Sequence, residues 1–197
     1  DASQGGSSKE MAFVLVGEPG NGKTFLVEYL CTLYRNFLAR PKNRKYSFRF
    51  TGLDQIGSYG AIKMIESQTY EDPMVLALNL FDTKEESMQY LAKKYKASDA
   101  MLEQWMENYR PLGACSAYIW NDIRNLCGGN VEEMLKHIEI LPVPLVESLG
   151  TVTGKYPAKD KITSSAVDLL GEESIQRLLH ISDTNNPYRF DLRRGAL

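Results

Sequence analysis

The sequence predicts an α/β fold: a parallel β-sheet bearing a phosphate-binding loop, with a large, mostly helical insertion. Three observations predict it. Met11-Ala12-Phe13-Val14-Leu15-Val16 is a short apolar run of buried-strand type. Gly17-Glu18-Pro19-Gly20-Asn21-Gly22-Lys23-Thr24 is a complete G-x-x-x-x-G-K-T loop, and Phe25 to Leu38 follows with helical spacing. Strand, glycine loop and helix, in that order, is the setting in which this P-loop motif works.

The chemistry explains the spacing. Gly17, Gly20 and Gly22 let the loop backbone, which runs through Glu18, Pro19 and Asn21 to Thr24, curl tightly, so that its N–H groups, which Pro19 lacks, turn inward toward phosphate oxygens. The positive end of the following helix adds to that field. Lys23 reaches the β- and γ-phosphates as a point charge, and the Thr24 hydroxyl is the expected Mg²⁺ ligand. The expected cofactors are therefore ATP and Mg²⁺.

Composition sets the bounds. The 197 residues are 43% hydrophobic and 24% charged, which suits one globular domain with a sizeable core. A formal net charge of −2 gives no global basic field for nucleic acid. Cys31, Cys115 and Cys127 form no C-x-x-C pair, and with only His137 and His180 beside them a zinc site is not expected. Such scattered cysteines fit a reducing cytosol. No apolar stretch approaches the roughly 18 residues of a membrane span. Residues 1–10 read as a polar, flexible lead-in, and residues 11–197 as one partial ATP-binding domain with its helical insertion at about 84–181.

The elements follow in order. Phe25, Leu26, Tyr29, Leu30, Leu33 and Phe37 form the apolar stripe of the first helix, which Pro41 ends. Arg40, Lys42, Arg44 and Lys45 make a small basic cluster, read as a solvated turn. Tyr46, Phe48 and Phe50 alternate with polar residues as a half-buried strand, and Gly52 to Gly60 reads as a loop. Pro73 opens an apolar run to Phe81 that is either a buried strand or irregular core-filling chain. Asp82 ends that run in the manner of a Walker B carboxylate, yet Thr83 and Glu86 also spell a helix cap, and the cap is the favoured reading. Residues 84 to 127 are mostly helical, with Met and aromatic stripes read as core. Gly128-Gly129 stops the last of these helices, and Asn130 caps the next. Ile138 to Pro144, short and ended by prolines, suits an edge strand. Gly150 to Lys161 reads as a polar loop, Ile162 to Leu170 and Glu172 to Ile181 as two short helices, and Asp183 to Pro187 as turns.

With these features in hand, the loop is similar to that of AAA+ ATPases, and most of residues 11–197 resembles the AAA-type domain of the PrkA family of bacterial serine protein kinases. The carriers are Gly17 to Thr24, Ser67-Gln68-Thr69-Tyr70-Glu71-Asp72-Pro73, Gly128-Gly129-Asn130, and Asn186-Pro187-Tyr188 with Gly195-Ala196-Leu197. Gln68 departs from the family's proline, and the loop letters are closer to general AAA+ usage. The resemblance implies an AAA+-like P-loop NTPase fold, of which this chain is the front part, ahead of the Walker B strand. It implies an ATP·Mg²⁺-dependent serine or threonine protein kinase acting on a protein substrate, with Lys23 stabilising the transferring phosphoryl group. Arg193 and Arg194 are candidate arginine fingers or contacts to a neighbouring subunit. AAA+ relatives commonly form rings, so a homo-oligomer is compatible with it. No H-R-D or D-F-G signature of eukaryotic-type kinases is present. Two other readings stand beside the kinase: a remodelling ATPase, and a non-hydrolysing, ATP-gated protein-interaction module.

Overall fold

The computed structural model describes residues 14–145 and 175–189. Its sheet has three strands: β1 (Tyr46–Thr51), β2 (Met64–Glu66) and β3 (Ile138–Pro142), in the order β2-β1-β3. Both pairings are antiparallel. Phe50 lies opposite Ile65 on one side and Ile138 on the other, and Tyr46 lies opposite Pro142.

This corrects the fold expectation: the described residues hold no parallel sheet, and the fold is not that of a P-loop NTPase. The connections give the reason. From β1 the chain doubles back to β2 through two 3₁₀ turns, Leu53–Gln55 and Gly57–Tyr59, with no crossover helix to carry it round in parallel. Val14-Leu15-Val16, expected in a central strand, pair with no strand, and Val14 and Val16 are 81% and 91% exposed. The beginning of that run, Met11 to Phe13, lies outside the described residues, as do residues 146–174 with the expected helix Ile162 to Leu170.

The first helix forms as its spacing predicts. α1 (Lys23–Ala39) closes where the Arg40 N–H reaches the Phe37 carbonyl, and Pro41 opens a 3₁₀ turn. Its packing does not follow its pattern. Phe25, Leu26, Tyr29, Leu30, Leu33, Tyr34 and Phe37 are all exposed, and Leu38 is its one buried residue. Phe25 stacks on Tyr29 and Tyr34 on Phe37, along the helix itself.

The core lies under β1. Phe48 and Phe50 meet edge to face and pack with Tyr59, Ile65, Leu76 and Leu78. Ile119, Trp120 and Ile123 come from α5 (Ala114–Leu126), and Met134 from α6 (Val131–Leu135). The run from Pro73 resolves into a short helix, α2 (Pro73–Ala77), and then core-filling chain. Asp72 caps α2 by accepting from the Met74 N–H at 2.8 Å, with Pro73 at the first helical position. Asn79 ends it: its amide donates to the carbonyls of Val75 and Arg110, and its own carbonyl accepts from the Trp120 indole.

Thr83 caps α3 (Lys84–Tyr95) and Ser98 caps α4 (Asp99–Asn108), each hydroxyl accepting a backbone N–H three residues on. The stripes on these helices are only partly core. Leu91, Trp105, Ile119 and Ile123 are buried, whereas Tyr95, Met101, Met106 and Leu126 are exposed. Gly128 and Gly129, at φ 58° and 78°, end α5, and the Asn130 side-chain oxygen, Oδ1, accepts the N–H groups of Glu132 and Glu133 to start α6. β3 follows as the edge strand its prolines suggest. At the turn into it, His137 Nδ1 lies 2.8 Å from the Thr51 carbonyl, close over Gly52, whose φ is +69°. Farther along, the 3₁₀ turn at Pro187–Arg189 packs on α5, and α7 (Ile175–His180) packs on that turn.

Candidate functional site

The residues from Gly17 to Thr24 form an exposed loop that hands directly into α1. Gly20 and Gly22 have φ of +89° and +73°, and Gly22 is the N-cap of the helix. These left-handed values are what glycine supplies without a steric penalty. A side chain at either position would meet nothing within 4 Å, so the space above the loop is open. The Asn21 N–H donates back to the Glu18 carbonyl at 3.4 Å, and the Leu26 N–H to the Gly22 carbonyl at 2.9 Å. Lys23 folds over the loop, and its ammonium donates to the carbonyls of Gly17 at 2.5 Å and Glu18 at 2.6 Å. Thr24 takes the second position of the helix. The sequence-predicted residues from Gly17 to Thr24 are thus brought together, as their adjacency requires.

The other sequence candidates are placed elsewhere. Asp82 follows bent chain, not a strand, and pairs with Arg124 of α5, while Thr83 beside it makes the helix cap. The cap reading is the one the geometry supports. Arg193 and Arg194 lie outside the described residues.

Two polar clusters were not foreseen. In the first, the Glu71 carboxylate accepts from the Ser67 hydroxyl at 2.9 Å, the Gly113 N–H at 2.7 Å and the Ser116 hydroxyl. The Ser67 hydroxyl in turn accepts the Glu71 N–H at 3.0 Å. Both serines are buried. This gives the segment from Ser67 to Pro73 a structural job: it fastens the chain ahead of α2 to the start of α5. The residue before Glu71, Tyr70, sits at φ 50° to make the turn.

The second cluster joins three elements. The Tyr59 hydroxyl donates to Asp122 at 2.7 Å, and the Tyr118 hydroxyl donates to Asp183. Burial first, then the bond to Asp122, pushes the Tyr59 phenol far above its ordinary value. The bond to Asp183 pushes Tyr118 up to about 12. Burial also raises Asp122, against the lowering effect of Tyr59, and the neighbouring Asp183 charge raises it further. Asp183 is lowered, chiefly by Tyr118 and then by the Asn185 N–H. The Arg177 guanidinium stacks 3.8 Å over the Tyr188 ring nearby. These partners are separated by more than sixty residues, and no local spacing announces them.

Among the described residues, no group of three or more His, Cys, Asp or Glu side chains is placed to hold a metal ion. Among the described residues, no helix is long and apolar enough to cross a membrane. Compared with protein-family models, curated proteins and solved structures, the chain matches none.

Proposed function

We propose that the loop from Gly17 to Thr24 binds the phosphates of ATP, with Mg²⁺ held between them and Thr24. On this reading the chain is the ATP-binding part of a protein kinase resembling the PrkA family. One observation carries the phosphate-binding reading: the Lys23 ammonium is seated on the Gly17 and Glu18 carbonyls at the mouth of an open glycine loop. An ammonium has three N–H donors, so the two carbonyls hold it in place and leave one donor and the whole charge for an incoming phosphate. The loop's backbone N–H groups and the start of α1 supply the remaining field. Residues 17–24 fit a triphosphate by donor chemistry alone, whatever sheet lies behind them. The kinase activity rests on the resemblance: Lys23 would stabilise charge on the transferring phosphoryl group.

The test is calorimetric titration with Mg·ATP beside Lys23→Ala. The variant is expected to lose about 1.5–3 kcal/mol of binding, the worth of a hydrogen bond to a charged group. Unchanged affinity would refute the loop assignment. Incubation of the natural full-length protein with γ-labelled ATP then separates the activities. Label on protein Ser or Thr, lost in Lys23→Ala, supports the kinase, and label found only as free phosphate supports a remodelling ATPase.

A second reading has its own observation. α1 begins at the loop and exposes an apolar surface along its length. ATP bound at one end of such a helix suits a nucleotide-gated protein-interaction module, for which tight binding without turnover is the expected result.

A further inference from the structure

The structure brings a second donor to the same place as the Lys23 ammonium. A Cβ built on Gly17 would lie 3.7 Å from Lys23 Nζ and 3.8 Å from Asn21 Nδ2, so both nitrogens border one small space at the start of the loop. Gly20 and Gly22, both with positive φ, bracket Asn21, whose side-chain amide nitrogen lies on the Gly17 side of the loop. The Asn21 backbone N–H is already engaged with the Glu18 carbonyl. What Asn21 has left to offer a ligand is its side-chain amide, with two N–H donors.

We propose that the Asn21 amide is a discriminating phosphate donor, acting beside Lys23 on the terminal phosphate of a nucleoside triphosphate. The inference rests on the phosphate-loop reading above and adds a role that the motif does not specify, because the motif leaves this position open to any residue. Lys23 supplies charge and is held by two carbonyls. Asn21 supplies direction, through a neutral amide that costs little to desolvate. Gly17 keeps the space clear, since a methyl group there would sit in van der Waals contact with both donors.

The experiment measures Mg·ATP and Mg·ADP affinities by titration calorimetry on the whole chain, for the native protein, Asn21→Ala, Asn21→Asp and Lys23→Ala. Asn21 is exposed, and circular dichroism checks that each variant keeps its helix content. Asn21→Ala is expected to weaken ATP about tenfold while leaving ADP within about twofold, the loss of one charge-assisted bond. Asn21→Asp is expected to weaken ATP further, because a carboxylate then faces the phosphate. Equal losses for ATP and ADP, or none for either, would overturn the role given to Asn21 while the phosphate loop stands. If Lys23→Ala leaves ATP affinity unchanged, the loop reading falls and this inference falls with it.

Discussion

Glu71 is the residue on which most local geometry converges. Its carboxylate takes two hydroxyls and a backbone N–H from segments more than forty residues apart. Glu71→Gln keeps the shape but turns one acceptor into a donor, which faces a hydroxyl or the Gly113 N–H. Chemical denaturation should show a loss of about 1.5–3 kcal/mol, as for a broken bond to a charged acceptor. Asp122 and Asp183 make a pH prediction of opposite signs. Asp122 is raised in the folded chain, so ionising it opposes folding. That penalty is absent below the ordinary aspartate pKa of about 3.9 and complete above the folded value. Asp122→Asn should therefore melt higher than the native protein at pH 7, with the gap closing as pH falls below about 4. Asp183 is lowered, so its ionised form stabilises the fold above the ordinary value, and this is lost as pH falls through the folded one. Asp183→Asn should melt lower at pH 7 and converge with the native protein in acid. Melting curves across pH check both.

At the scale of elements, caps and breakers were written in the sequence and most were used. Asn130 illustrates it: Asn130→Ala should cost about 1 kcal/mol in thermal denaturation by orphaning the first N–H groups of α6. Pro41 ended α1, Thr83 capped α3, and Gly128-Gly129 ended α5 because each effect is decided within a few residues. The site loop was legible for the same reason, since its eight residues are contiguous. What the sequence left unread is long-range. Strand direction depends on how the chain returns, and the path from Thr51 to Met64 carries no pattern that distinguishes a doubling-back from a crossover. The bonds from Tyr59 to Asp122 and from Glu71 to Gly113 are likewise invisible to local spacing. The α1 stripe was readable as amphipathic pattern, but a pattern states what a helix could bury and not whether a neighbour is there.

On the scale of the whole molecule, the described residues form two unequal parts. β1 to β3 and α2 to α6 close around a common core, whereas α1 touches mainly the turn that follows it. Substitutions should report this division. Ile119→Ala, at a fully buried site, is expected to cost about 2–5 kcal/mol. Leu30→Glu combined with Leu33→Glu should change the melting transition by no more than about 0.5 kcal/mol, as surface changes do. A large loss from the double variant would mean that α1 is packed in solution.

The contact between His137 and Thr51 has a consequence for proton placement. A carbonyl can only accept, so the ring nitrogen 2.8 Å from the Thr51 oxygen carries the hydrogen, and in the neutral ring the other nitrogen is left as a bare lone pair. The turn from α6 into β3 thereby fixes an imidazole tautomer. Nitrogen-15 spectra should show it directly, with Nδ1 in the protonated range and Nε2 in the unprotonated one. Gly52→Ala, which would set a methyl group 2.9 Å from Nδ1, should erase that signature as the ring is pushed away.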